Sequence, residues 1–257
     1  MLGFSLLGSG SSGNALLVRS PSAKILIDNG LSFRQIQVRA ASLGETVDNL
    51  KAVFVTHEHA DHVNGVGTLA RKLGIPVYLT GGTLRNLPLG IGALPQVREF
   101  EAGDEISVDG LILQSFSVSH DAADPVSYVV RLNGASLGVA ADLGHASQLV
   151  RTRLAGCHAL ILESNYCPTM IQAGPYPPAV QQRIRGRLGH LSNPDASALL
   201  SDLLHDALQI VVLVHISEDN NTPRRAYQYA AKVLEGHQAR LFVARKDRPT
   251  RMFEIRP

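Results

Sequence analysis

Thr56-His57-Glu58-His59-Ala60-Asp61-His62 is the stretch from which the rest of the chain is read. Four metal-capable side chains fall within six residues, at the spacing His-x-His-x-Asp-His. Before it, Ala52-Val53-Phe54-Val55 reads as a buried strand. After it, Val63, Val66, Leu69, Ala70 and Leu73 recur at helical spacing, closed by Gly74 and Pro76. The motif therefore sits where a strand ends and a helix begins. In an extended turn His57 and His59 point the same way, because side-chain direction repeats every second residue. Asp61 and His62 open the helix and face a neighbouring point. Such a cluster suits two adjacent cations better than one. Imidazole suits Zn, Mn or Fe, and a carboxylate adds a hard oxygen ligand. A lone histidine here would be an ordinary loop residue; four ligands at this spacing are not.

The same local grammar recurs along the chain: an apolar strand with a ligand at its far end. Gly110 to Ser117 delivers His120, with Asp121 and Asp124 following. A hairpin of Val126 to Arg131 and Ala135 to Ala141, turned by Asn133-Gly134, delivers Asp142. Ile210 to Val214 delivers His215. Two more strands end in carboxylates, Lys24 to Ile27 at Asp28 and Ala159 to Leu162 at Glu163. Strand ends on one edge of packed sheets converge on a point, so the repetition itself argues for a shared site.

Other segments are less pointed. Gly8-Ser9-Gly10-Ser11-Ser12-Gly13-Asn14 joins two strands, as a plain hairpin or as a cradle of N–H groups and hydroxyls for a phosphate. Ser32 is a candidate N-cap for a helix to about Leu43. Helices are also expected near Gly82 to Leu87 and Ala146 to Leu154. Ser164 to Pro178, rich in Pro, Gly and Tyr, reads as an irregular surface loop, and a short helix with Arg183, Arg185 and Arg187 follows. Gly189-His190-Leu191-Ser192 precedes a helix start, where free N–H groups favour anions. Asn193 is the expected N-cap there, with Pro194 in the first turn. Thr222-Pro223 opens another helix, and a strand from Ala239 to Ala244 and a basic tail finish the chain.

Bulk properties set limits. The 257 residues suffice for a sizeable core, and 45% hydrophobic content is ordinary for a globular chain. A net charge of +2 does not by itself argue for nucleic acid, and the absence of Trp removes one kind of base-stacking platform. Two cysteines, Cys157 and Cys167, are too few for a disulfide scaffold. The Met1 to Leu7 segment lacks a basic region and reads as a strand, so a cytoplasmic location and no membrane partner are expected. Strand–helix alternation around the motifs, with no linker-like stretch, predicts one α/β domain over residues 1–257, with helices outside two packed sheets. Composition says nothing of oligomeric state.

Taken together, these segments resemble the metallo-β-lactamase superfold along nearly the whole chain. The resemblance implies an αββα four-layer sandwich with a dinuclear site. Carried over, His57, His59 and His120 would bind one metal, Asp61, His62 and His215 the other, and Asp142 would bridge them. Two divalent cations (Zn or Mn, with Fe a third choice) roughly 3.5–4 Å apart would acidify a water held between them, polarise the electrophile and hold the leaving oxygen. Asp61 and Asp142 would orient that nucleophile. Asp28, Asp124 and Glu163 are candidates to fix ligand imidazoles, with ordinary turn hydrogen bonds as the competing reading.

Within the superfold, exported β-lactamases often carry Cys where this chain has Asp142. Glyoxalase II adds a C-terminal domain for which little chain remains after His215. Gly189-His190-Leu191-Ser192 and Val214-His215-Ile216-Ser217 are similar to motifs of ribonuclease Z and related nucleases, in which the first His assists the leaving group or contacts the scissile phosphate. Gly8 to Asn14, Leu26-Ile27-Asp28-Asn29-Gly30, Val118 to Pro125, Leu162-Glu163-Ser164-Asn165, Gly174-Pro175-Tyr176-Pro177 and Gly189 to Asn193 resemble the YycJ-like (WalJ) branch. That resemblance implies a 5′-to-3′ DNA exonuclease linked to DNA repair, with nucleic acid, DNA above all, as partner. Catalysis would fall to Asp61, Asp142 and His190, and phosphate contacts to Ser9, Ser11, Ser12, Asn14 and Ser192. The spacing between His120 and Asp142 leaves no room for the exosite arm of ribonuclease Z, and that between Asp142 and His215 none for a β-CASP domain. The competing expectations are a small-molecule phosphodiesterase or thioester hydrolase on the same site, and a non-catalytic metal-binding regulatory protein.

Overall fold

The computed structural model of the chain describes all 257 residues. Its strands in chain order are β1 (Leu2–Gly8), β2 (Ala15–Arg19), β3 (Lys24–Ile27), β4 (Leu50–Phe54), β5 (Val77–Thr80), β6 (Val97–Phe100) and β7 (Glu105–Val108). Then come β8 (Leu111–Ser117), β9 (Val126–Leu132), β10 (Ala135–Ala140), β11 (Ala159–Glu163), β12 (Ile210–Val214), β13 (Arg240–Val243) and β14 (Phe253–Ile255). The helices are α1 (Phe33–Ala41), α2 (Ala60–Val63), α3 (Val66–Leu73), α4 (Gly81–Arg85), α5 (Gln148–Leu154), α6 (Pro168–Ala173), α7 (Pro178–Arg185), α8 (Asn193–Asp202) and α9 (Pro223–Val233). One seven-stranded sheet runs β14-β1-β2-β3-β4-β5-β6 and the other β13-β12-β11-β10-β9-β8-β7.

The layering follows from period-two burial on both strand faces. In β3, Ile25 and Ile27 enter the core between the sheets while Leu26 enters the core under the helices. In β12, Ile210, Val212 and Val214 face the inter-sheet core, and Val211 and Leu213 pack under the outer helices of the second sheet. Three apolar layers result. Phe4, Phe54 and Tyr128 anchor the middle one, Ile36 and Leu69 the first outer one, and Leu154, Leu199 and Ala226 the second. Helix, sheet, sheet, helix is the αββα sandwich expected. Each fully buried aliphatic side chain adds about 1.5–3 kcal/mol of transfer free energy.

Register places the site. β10, β11 and β12 are parallel, with Ala140 opposite Leu162, Leu162 opposite Leu213, and Glu163 opposite Val214. The three strands therefore end level, and Asp142, Glu163 and His215 arrive at one edge. On the facing sheet β3 and β4 are parallel, with Ile27 opposite Phe54, so Asp28 and the His57 turn emerge together. Ligand sites of α/β sheets form at such carboxyl ends.

Several expectations need correction. Ser164 to Pro178 is not an irregular surface loop: Ser164, Asn165, Tyr166 and Cys167 are buried, Tyr166 bridges to Ser192, and α6 follows. Pro168 sits in that helix's first turn, where proline has no needed N–H to lose. The N-cap of α8 is Ser192, whose hydroxyl accepts from Asp195 N, while the Asn193 side chain bonds Asn221 and Ser164 instead. The pattern read as one helix after the motif divides into α2 and α3 at Asn64–Gly65, where Gly65 N donates to Asn29 O at 2.9 Å. The basic tail is no mere tail. Phe253 and Ile255 are buried about an exposed Glu254, and β14 pairs antiparallel with β1. The capping box of α1 at Ser32 and Gln35, and the Asn133-Gly134 turn with both φ positive, match their sequence signals.

Candidate metal centre

After β4 the chain turns so that His57, His59 and His62 gather beneath the ends of the second sheet. Four groups of ligand atoms each lie within 4.8 Å of one another: His57/His59/His120, His57/His62/Asp142, Asp61/His62/His215, and Asp142/Glu163/His190/His215. His57 and His62 are buried, as are His120, Asp142 and His215, while His59 and Asp61 form the more open rim. All seven sequence-nominated ligands thus meet at one place, with His57, His62, Asp142 and His215 each common to two groups.

The imidazoles are held from behind. His57 Nδ1 lies 2.9 Å from the Thr56 hydroxyl, His62 Nδ1 2.8 Å from Asp28 Oδ2, and His120 Nδ1 3.1 Å from Gly189 O. Asn165 Nδ2 donates to His215 O at 2.8 Å and lies 3.1 Å from its Nδ1. Asp28 also accepts from Thr56 N and from the Thr56 hydroxyl, so one carboxylate steadies two ligand rings. Holding Nδ1 leaves Nε2 for the centre. Backbone strain accompanies this. Asp28, Asp142 and His215 have φ of 58°, 55° and 55°, a left-handed conformation that costs a non-glycine residue on the order of 1–3 kcal/mol. Gly30 is needed for a different reason: a Cβ there would lie 1.8 Å from Asp61 O.

A divalent cation fits this donor set. His57 Nε2 and Asp142 Oδ2 are buried without a hydrogen-bond partner; Asp142 Oδ2 lies 3.2 Å from His62 Nε2 but without hydrogen-bond geometry. Burial disfavours charge on His215, yet Asp142, Asp61 and Glu163 outweigh it and lift its pKa to about 10. His62 is likewise raised despite complete burial, by Asp142 and Asp28. Burial of Asp142 and partial burial of Asp61 disfavour their charge, but the surrounding imidazoles hold both well below the usual carboxylate range. His57 goes the other way, pushed down by burial and by its neighbour His62. The pocket is thus built to hold positive charge between fixed carboxylates.

His190 stands beside the cluster. Its Nδ1 lies 2.6 Å from Glu163 Oε1, and Glu163 Oε2 accepts from Leu143 N at 2.9 Å and Leu191 N at 3.1 Å. Burial would lower the His190 pKa, but the Glu163 carboxylate raises it. A cleft of about 250 Å³ opens over the cluster, lined by Ser11, His59, Asp61, His120, His190 and Arg183 among others. It is roofed in part by α7, none of whose residues is buried.

Not every nominated residue reaches the cleft. Ser9 accepts from His215 N, and Asn14 Nδ2 donates to Asp61 Oδ2 at 3.0 Å, so both brace the centre. Ser192 is spent on capping α8, and Ser12 is exposed outside the cleft, leaving Ser11 as the loop hydroxyl that lines it. Asp124 touches no ligand imidazole; it packs by Gly82, where its carbonyl accepts from Thr80. Asp121 occupies the place expected of Asp124, with Oδ1 3.4 Å from His120 Nε2 and 3.9 Å from His59 Nε2. Arg183 clamps the other oxygen of Asp121 at 2.5 and 2.6 Å. Sequence reading passed over Asp121, Asn165 and Thr56. Adjacency to a ligand in the chain was the available signal for Asp121 and Thr56, and the Glu163-Ser164-Asn165 strand end for Asn165.

Residues 23–216 match the model of the β-lactamase superfamily domain. Over 236 residues, 91% of this chain and 89% of the relative, the sequence is 35% identical to exodeoxyribonuclease YycJ of Bacillus anthracis. The chain belongs to the YycJ/WalJ branch of the metallo-β-lactamase superfamily. Exodeoxyribonuclease WalJ of Streptococcus pneumoniae is 32% identical over 87% of this chain and 85% of its own. The fold is shared with zinc-bound PqqB of Methylobacterium extorquens, with a TM-score of 0.71 at 19% identity over 96% of this chain and 99% of that one. As a member of the metallo-β-lactamase superfamily the protein is a metal-dependent hydrolase, and the His/Asp groups suit divalent cations. No helix is long and apolar enough to cross a membrane.

Proposed function

We propose that this chain is a nuclease that shortens DNA from the 5′ end, serving DNA repair in the cytoplasm, with residues 1–257 acting as one domain. The observation that carries the reading is the joining of the His57/His59/His120 and Asp61/His62/His215 groups through Asp142, in a chain alike over nearly its whole length to proteins named exodeoxyribonucleases. The first group would hold one cation and the second another, with Asp142 between them. Nitrogen and oxygen donors alone suit Zn or Mn, and Fe as a third choice. When bound, the pair supplies Lewis acidity at the phosphate and an acidified water.

The rest falls to the chain. Asp61 and Asp142 orient the attacking water from two sides. His190, charged through its bond to Glu163, gives a proton from Nε2 to the leaving oxygen. Arg183 at the rim offers a planar pair of N–H donors to a flanking phosphate. Asp28, Thr56, Asn165 and Gly189 O keep the imidazoles in place while these groups act.

The test is hydrolysis of end-labelled double-stranded DNA with added Mn or Zn, wild type against His59→Ala. Stepwise release of mononucleotides by wild type alone is the expected result. No release from protein loaded with metal would overturn the DNA assignment and turn attention to small phosphodiesters. Equal activity in the variant would remove the cluster from the reaction.

A further inference from the structure

The cleft over the metal centre has a second half. A cavity of about 360 Å³ continues from it and shares Ser11, Ile184, His190 and His215 as a common wall. Its far side is Tyr176, Ser217, Glu218 and Asp219. The size is that of a small-molecule site. Both halves carry acids, but those of the metal side, Asp61, Asp121 and Asp142, face the cation site or Arg183, the one Lys or Arg lining either half, whereas Glu218 and Asp219 of the other half do not.

Tyr176 is the aromatic ring of this half other than imidazole. It lies in Gly174-Pro175-Tyr176-Pro177, a motif that the metal centre does not use. The loop's course is fixed at both ends. A Cβ on Gly174 would lie 2.5 Å from Asn220 Oδ1, so the loop packs directly on that buried side chain. Gln181 Nε2 donates to Tyr176 O at 2.9 Å, and the Tyr176 hydroxyl donates to Asp219 Oδ2 at 2.8 Å. The ring is thus held at the cavity wall. Glu218 is paired with Lys246, but a carboxylate accepts several donors, so both acids retain capacity.

From this geometry we infer that the second half holds the terminal nucleoside of the strand, and the inference rests on the nuclease reading above. With the scissile phosphate at the His/Asp cluster, a further phosphate in this half would meet two carboxylates. A base there meets an aromatic face on which to stack and acceptors for an exocyclic amino group. The chemistry selects a terminal nucleotide whose base carries such a group, dC over dT. It also explains attack at an end, because the strand has no welcome place to continue.

The test compares single-stranded oligonucleotides with a 5′-hydroxyl that differ only in a 5′-terminal dC or dT, with bis(p-nitrophenyl) phosphate as a diester that carries no base. Wild type is expected to cleave the dC end several-fold faster, and Asp219→Asn combined with Glu218→Gln to erase that preference. Tyr176→Ala is expected to raise KM for the oligonucleotides about tenfold more than for the aryl diester, while Tyr176→Phe keeps the ring and stays near wild type. Tyr227→Ala, on the exposed face of α9, is the control. Equal losses on both substrates would mean that Tyr176 only supports the fold of the cleft, and would overturn the inference. So would a dC preference that survives the double substitution, or no preference in wild type. Failure of the nuclease reading looks different: wild type then hydrolyses the aryl diester and neither oligonucleotide, and the inference falls with it.

Discussion

On the first sheet, the ligands His57, His59, Asp61 and His62 come from one continuous turn after β4. On the second, His120, Asp142 and His215 each stand past the end of a different strand and meet only through register. The first bank is a local device, set by side-chain alternation over a few residues. The second is global, and it bears left-handed backbone at Asp142 and His215, whereas the first bears none among its ligands. A site assembled in this way keeps a stiff half that depends on the whole fold and a half that one loop can carry.

The sharpest way to break this arrangement is at the residue joining the two groups. Asp142→Ala should lower turnover about a thousandfold, from several kcal/mol of lost charge stabilisation, while elemental analysis shows reduced metal content. Calorimetry of the metal-free protein should also show a loss of stability, because the buried imidazoles of His62 and His215 hold Asp142 ionised and Ala would be strained at its left-handed φ. Next in size is His190→Ala, which should keep its metal and lose on the order of a hundredfold in turnover if the residue moves a proton. Unchanged kinetics would leave it a prop for Glu163.

The two banks can be weighed against each other through the carboxylates behind them. Asp28→Asn behind His62 and Glu163→Gln behind His190 and His215 should each weaken metal affinity by roughly 10–100-fold in a competition titration. A larger loss at Glu163 would confirm the second bank as the stiffer one. The pH arm follows from His215. Its folded pKa of about 10 lies above the ordinary 6.5, so its contribution to the metal-free fold is full below about pH 6.5 and is lost as pH climbs to about 10. A bound cation must displace that proton, so affinity rises over the same window. The gap in Tm between metal-loaded and metal-free protein should therefore widen with pH; a constant gap would refute the linkage. The smallest effect should come from Ser192→Ala, about 1 kcal/mol of stability from a lost helix cap, with kinetics untouched.

How much of this was legible in the chain depended on range. The His57 turn, the Ser32 N-cap and the Asn133-Gly134 hairpin are written in residues a few positions apart, and the sequence alone locates them, though not the Gln35 half of the capping box at Ser32. The layers followed from periodicity. Where a segment takes its structure from distant partners, the reading failed. Ser164 to Cys167 has a loop's composition but is buried by Ser192, Asn193 and Asn221. Phe253 to Ile255 is a strand because β1 offers an edge, not because of its basic flanks. Asn14 and Ser9 have the chemistry of phosphate contacts, and only the three-dimensional arrangement shows their polar atoms turned onto Asp61 and His215. Asp124 was favoured over Asp121 for want of any spatial reason to choose.

Glu163 has a consequence for how variation in this protein can accumulate. One oxygen takes His190, and the other ties Leu143 N, beside Asp142, to Leu191 N. A single buried carboxylate thus sets the positions of a proton donor, a ligand and the loop between them. Substitutions at those places will not combine independently. A double-mutant cycle between Glu163 and His190 should show a coupling on the order of 0.5–3 kcal/mol. A lineage that changed one of them would be steered toward compensating at the other, so the two are inherited as a unit.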